Sequence, residues 1–264
     1  MGTSAVKTGW DWIHYQSGGG RWDLWPFNLA ANPTGPTRDV GSNVGNITYN
    51  TNNQVVDGVN ANVITVNANN VTIRNFRCKR VQKNNANENL TLEYGVIDNQ
   101  NGGGNGTQFW GITHRYIEIK GTEDGSKADE CIYDSCYIHD LYHDNNTHSD
   151  GIQLSGSADV VIKNCRFENI QGSAGIFMKP DFGDVDGVEI DNNFFENVGN
   201  YMIWATNNGG NRPKNLIVKN NVFGTQPAYL NDPPFNGGDY QYIMNADNVT
   251  WSNNMLRNGT IINL

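Results

Sequence analysis

The sequence predicts an all-β solenoid, a single-stranded parallel β-helix, and two observations carry that expectation. An eight-residue pattern recurs along the chain, and the composition combines 30 glycines and 11% aromatic residues with only 37% hydrophobic residues in 264. The pattern reads apolar, x, apolar, x, Asn, small or polar, x, apolar. It is found at Val160–Phe167, Val188–Phe195, Leu216–Phe223 and Val249–Leu256, at steps of 28, 28 and 33 residues. Apolar residues two apart mark strands rather than helices. A repeat of this length with one such strand per copy describes coils whose strands pair at about 4.8 Å. Each coil then needs only a narrow inward stripe of apolar residues, which reconciles low hydrophobicity with an ordered fold.

Taken in chain order, residues 1–45 carry no copy of the repeat but hold Trp10, Trp12, Trp22 and Trp25. They are read as a cap over the first coil, because an open solenoid end exposes core and unpaired edges. The β-helix domain is placed at 46–264. Upstream copies of the pattern are Val71–Cys78 and Cys131–Ile138, and Leu90–Ile97 is a weaker one with Tyr94 in the Asn place. The asparagines Asn75, Asn164, Asn192, Asn220 and Asn253 are expected to stack at one corner as a ladder. A second strand family precedes the Asn-bearing one. Asp150–Ser155 matches Ala174–Lys179, with Glu123–Lys127 one coil earlier and Tyr201–Trp204 and Tyr242–Met244 later. Ile152, Leu154, Ile176 and Met178 should point inward, and Gln153, Ser155, Phe177 and Lys179 outward. Asn99–Gln108 and Thr225–Tyr240 read as loops that form walls of a groove.

The net charge of −9 argues against a nucleic-acid partner, since phosphate binding needs clustered Lys and Arg. No stretch is long and apolar enough to insert in a membrane. Met1–Ser4 lacks a basic region followed by an apolar run, so no signal peptide is expected. An extracellular location would follow from a leader already removed or from release on a virus particle. Cys78, Cys131, Cys136 and Cys165 fit no zinc spacing. Cys136 and Cys165 share one repeat position a coil apart, as a disulfide outside the cell or as stacked thiols inside it. The sequons at Asn70 and Asn248 are expected by chance in so Asn-rich a chain.

The densest polar segment is 139–151, with His139, His143 and His148 beside Asp140, Asp144 and Asp150. Stacking places Asp124 and Asp150 on neighbouring coils, where two carboxylates share a proton, bind a metal or do acid/base work. Against this, Asp before Gly is also a turn former that bonds its own backbone. His148 shares a face with Asp150, two residues on in extended chain, whereas a corner hydrogen bond accounts for His139. The step from His143 to His148 is not zinc-specific, so no metal site is assigned. No cofactor is required, and Ca2+ is compatible with the Asp/Asn-rich loops. Candidate catalytic residues are therefore Asp124, Lys127, His148 and Asp150. Candidate substrate-binding residues are Gln153, Phe177, Lys179, Asp181, Trp204 and Tyr242, with Trp204 equally readable as core.

The strings Val71–Asn75, Glu123–Lys127, Tyr137–Leu141 and His148–Gln153 resemble right-handed β-helix proteins of the pectin-lyase-like superfamily, nearest to actinobacterial and bacteriophage tail-associated members. Trp25–Pro36 is similar to the segment that leads into their first coil. The resemblance implies a polysaccharide as ligand or substrate. Polygalacturonases carry Asn-Thr-Asp-Gly-Ile, then Asp-Asp, Gly-His-Gly and Arg-x-Lys. This chain is similar at Ser149–Ile152, but Ser173-Ala174 replaces the Asp pair and no Gly-His-Gly follows, so that hydrolase arrangement is not expected. The function expected is a polysaccharide lyase or glycoside hydrolase, the alternative a non-catalytic glycan-binding or tail-spike module. For a lyase, Lys127, Lys179 or His148 would take the C5 proton of a uronate. For a hydrolase, Asp124 and Asp150 would be the catalytic pair. The protein is expected as a monomer or homotrimer.

Overall fold

The computed structural model describes residues 23–84, 86–127, 129–144, 147–224, 241–243 and 245–264. Its strands form a nine-stranded and a fourteen-stranded sheet in which every pairing between named strands is parallel. The register predicted from the Asn-bearing repeat is the observed one, while in the last coil Trp204 pairs with Tyr242 rather than Ile203 with Ile243. Val160 pairs with Val188, Glu189 with Ile217 and Leu216 with Val249, while Ile152 pairs with Ser126 and Ile176. Ile152, Leu154, Ile176 and Met178 point inward and are fully buried. Identical positions therefore stack through the core. Phe167, Phe195 and Phe223 lie ring on ring at 4.9 and 5.3 Å, each pair inclined by 8°.

The fifth-position asparagine has a conformational cause. Asn75, Asn164, Asn192, Asn220 and Asn253 all have φ between 53° and 58°, as do Tyr94, Tyr116 and Ser135 at the same corner. This left-handed conformation is tolerated by Asn better than by other side chains. Their amides continue as an outer ladder, with Asn192 Nδ2 donating to Asn164 Oδ1 at 2.7 Å. The buried amide ladder, however, lies one residue later. Asn193, Asn221 and Asn254 are fully buried, and Asn221 Oδ1 accepts from both the backbone and the side-chain amide of Asn193, at 2.9 and 3.0 Å. In earlier coils Cys136 and Cys165 fill that position as free, buried thiols, so the disulfide alternative is not the one found. The sequons have the same structural origin: Asn70 and Asn248 are left-handed corners whose amides bond Asn53 and Asn215.

Of the segment expected to cap the first coil, residues 1–22 lie outside the described residues. The part from residue 23 on runs along the flank of the solenoid, against the direction of coil stacking. Phe27 packs on Phe194, Pro26 O accepts from Arg166 at 3.1 Å, and Trp25 meets Tyr137 edge-on. Further along, Gly35 N–H donates to Tyr116 O, Thr37 bonds Asn75 Oδ1 and Arg38 pairs with Asp57 at 2.7 Å. The strap then joins the first coil, where Val44 N–H donates to Asn60 O. Among the described residues no helix is long and apolar enough to cross a membrane. The loop predicted at 225–240 lies outside them.

Candidate active site

Three successive coils enter the nine-stranded sheet through Asp124-Gly125, Asp150-Gly151 and Ala174-Gly175. Glycine is required there by the next coil. A Cβ on Gly151 would stand 2.3 Å from Gly175 O, and one on Gly125 2.4 Å from Gly151 O. The preceding aspartates do not bond their own backbone as turn formers would. Asp124 Oδ1 accepts from Asp150 N–H at 3.0 Å, and Asp150 Oδ1 accepts from Ala174 N–H at 3.0 Å and Ser173 Oγ–H at 2.5 Å. Each carboxylate thus ties its coil to the next one. Its second oxygen holds a base: Asp124 Oδ2 lies 2.9 Å from Lys127 Nζ, and Asp150 Oδ2 lies 3.0 Å from His148 Nδ1.

Burial divides these four residues into two layers. The side chains of Asp124 and Asp150 are 0% exposed, whereas Lys127 is 37% and His148 54% exposed. Loss of water raises the pKa of both aspartates, opposed by Lys127 at Asp124 and by the His148 and Ser173 hydrogen bonds at Asp150. The hydrogen bond to Asp150 in turn raises His148 above its ordinary value. With Nδ1 turned to Asp150, the Nε2 of His148 is left for a ligand. The site is therefore two acid–base pairs on adjacent coils, each with its acid beneath and its base outward.

Beside this corner runs an outward column of register partners, Gln108, Lys127, Gln153, Phe177 and Trp204, with Tyr242 the next backbone partner of Trp204. Trp204 belongs to this outer column rather than to the core. Its ring stacks on Phe177 at 4.4 Å and meets Tyr201 at 5.0 Å. Gln153 and Phe177 face outward as expected but are buried, because neighbouring side chains of the column cover them. The side chain of Tyr242 lies outside the described residues. Lys179 and Asp181 pair with each other at 3.2 Å. They do not join the cluster, since Lys179 is five residues beyond Ala174, roughly 16 Å along the strand.

The family follows from a match to its model: a right handed beta helix region covers residues 117–263, more than half of the chain. This chain belongs to the right-handed β-helix family. Among solved structures, this β-helix protein is similar to the catalytic domain of a GH87 alpha-1,3-glucanase in complex with nigerose, with a TM-score of 0.42 and 10% identity. That likeness covers 84% of this chain and 56% of the glucanase chain. No curated protein matches.

Ser173, read from the sequence only as a lost acid, is a donor to Asp150 in this β-helix. A Ser-Ala step carries no signal of that role until the register is known. His139 lies outside the cluster, on the strap-covered flank. It sits between Asp140 at 2.7 Å and Glu118 at 3.2 Å and stacks on Tyr137 at 3.8 Å. His143 reaches Ser149 Oγ at 3.5 Å. Among the described residues, the trio with metal-ligand spacing is instead Asp124, His148 and Asp150, whose ligand atoms lie within 4.8 Å of one another. Two carboxylates and a ring nitrogen, with a lysine already on one carboxylate, do not resemble the six to eight oxygens that calcium takes.

Proposed function

We propose that this protein binds a uronate-bearing polysaccharide along the outer column of the nine-stranded sheet and cleaves it by β-elimination. The observation that carries the reading is the burial order, with bases outward and carboxylates beneath. Hydrolysis by two carboxylates needs both to face the sugar, and neither Asp124 nor Asp150 has exposed side-chain surface. Elimination needs a base and a cation, and those are the exposed groups. Lys127, whose ammonium is shared with the Asp124 carboxylate, hydrogen-bonds the uronate carboxylate and so acidifies the C5 proton. His148 Nε2 takes that proton, and Asp150 holds the ring and stabilises its cationic form. The C5–H electron pair becomes the C4–C5 double bond, the C4–O bond breaks, and the leaving oxygen is protonated by solvent. Trp204, half-buried and backed by Phe177, offers a ring surface for a neighbouring sugar.

A second reading is a non-catalytic glycan-binding or tail-spike module. It is favoured by the inter-coil bonds of Asp124 and Asp150, which already give both acids a structural task. Either reading is consistent with an extracellular protein, monomeric or trimeric. Incubation with uronate-bearing and neutral polysaccharides separates the chemistries. Elimination yields products with the absorbance of an unsaturated uronate together with new reducing ends. Reducing ends without that absorbance would mean hydrolysis, and binding without either would leave the module reading in place.

A further inference from the structure

The chain carries nine more acids than bases, Lys and Arg set against Asp and Glu. Its cations are accordingly almost all neutralised. Among the described residues, every lysine and arginine outside residues 77–83 forms an ion pair. The exceptions fall together: Arg77, Lys79, Arg80 and Lys83. Lys83 is buried inside its coil, where loss of water lowers its pKa. Arg77 and Lys79 instead line an open cavity of about 210 Å³ together with Lys120, Asn60 and Gln100, and with Asp98 as its one acid. Asp98 Oδ1 is engaged by Gln100 N–H at 2.8 Å, and Lys120 Nζ is held by Glu118 at 2.6 Å.

We propose that this cavity is an anion subsite that takes a carboxylate or sulfate ester borne by a glycan. A planar guanidinium beside the Lys79 ammonium suits an oxyanion with several acceptor oxygens. The cavity is smaller than the ~300 Å³ at which pockets for whole small molecules begin, so it fits one charged group or one ring. Arg77 and Lys120 belong to strands of the fourteen-stranded sheet, and the assignment of the anion to a glycan rests on the proposed function. Asn60 pairs with Arg77, Arg77 with Val96 and Val96 with Glu118, so the lining from Asn60 to Lys120 spans three coil spacings, roughly 14 Å. Its last residue, Lys120, lies in the same coil as Asp124, four residues ahead of it.

The test uses the full chain and its Arg77→Ala/Lys79→Ala variant, with calorimetric titration of a sulfated polysaccharide, a uronate polysaccharide, a neutral one, and sodium sulfate. The expected result is at least tenfold weaker binding of an anionic polymer by the variant, with neutral-polymer binding and melting temperature unchanged. Sodium sulfate should compete with the anionic polymer in the parent and not in the variant. Equal affinity of both proteins for the anionic polymers would overturn the proposal. So would sodium sulfate binding that depends on Arg77 and Lys79 while polymer affinity does not, since the cavity would then take only a free anion. Because the readout is binding, it stands apart from whether the protein cleaves any glycan.

Discussion

Asn192 is legible in the sequence as a repeat position, but its reason is a backbone angle. At φ 58° it turns the corner, and its amide reaches the coil below. This predicts an inversion of the usual preference for alanine over glycine. Asn192→Ala and Asn192→Gly lose the same amide bond, yet the alanine variant should be less stable by about 1–2 kcal/mol, the cost of left-handed backbone with a Cβ. Urea unfolding of the two variants measures the difference. The interior ladder was hidden because Cys136 and Cys165 occupy the position that Asn193, Asn221 and Asn254 fill later. A pattern search scores that place as small or polar, while the structure assigns it the backbone bonds between coils. Asp124 and Asp150 were found from their stacking alone, but their burial beneath Lys127 and His148 depends on atoms that no period reports.

Among elements, the nine-stranded sheet and the strap contrast in how far they could be read. The sheet's outer column follows from alternation at Gln153 and Phe177, whereas the facing of Trp204 is open in the sequence and only the register with Phe177 decides it. Trp204→Ala should weaken glycan binding by about 1–1.5 kcal/mol, roughly tenfold in Kd. Equilibrium titration with the polysaccharide that the protein recognises checks it. The strap could not be read as a flank-binding element, since each of its contacts occurs once and repeats nothing. Beneath it, the His139 hydrogen bond, with help from Lys120, holds the Glu118 carboxyl down at about 2, well below its ordinary 4.5. A depressed carboxylate stabilises the fold above its unfolded pKa, and that stability is lost as pH falls through about 2. Glu118→Gln should therefore unfold at lower urea at pH 7, by about 1–3 kcal/mol, and the two proteins should converge as the pH approaches 2.

At the scale of the whole molecule, the solenoid brings together residues that the chain separates. Asp124 and Asp150 lie on consecutive coils, and Phe177 and Trp204 follow on the next two. The two aspartates act on stability in the opposite sense to Glu118. Their pKa values are raised by burial, so their ionisation lowers stability as pH rises through the window above 3.8. Such a cost is expected where buried charge serves a site rather than the fold. The most direct test of that service is the pH dependence of kcat/KM on a uronate polysaccharide. Because the base form of His148 accumulates above a raised pKa, the rate should climb with pH through a value above 6.5. Asp150→Asn, which removes the cause of the shift, should move that limb to lower pH and reduce the rate. A limb that stays in place in Asp150→Asn, or full activity in His148→Ala, would contradict the account.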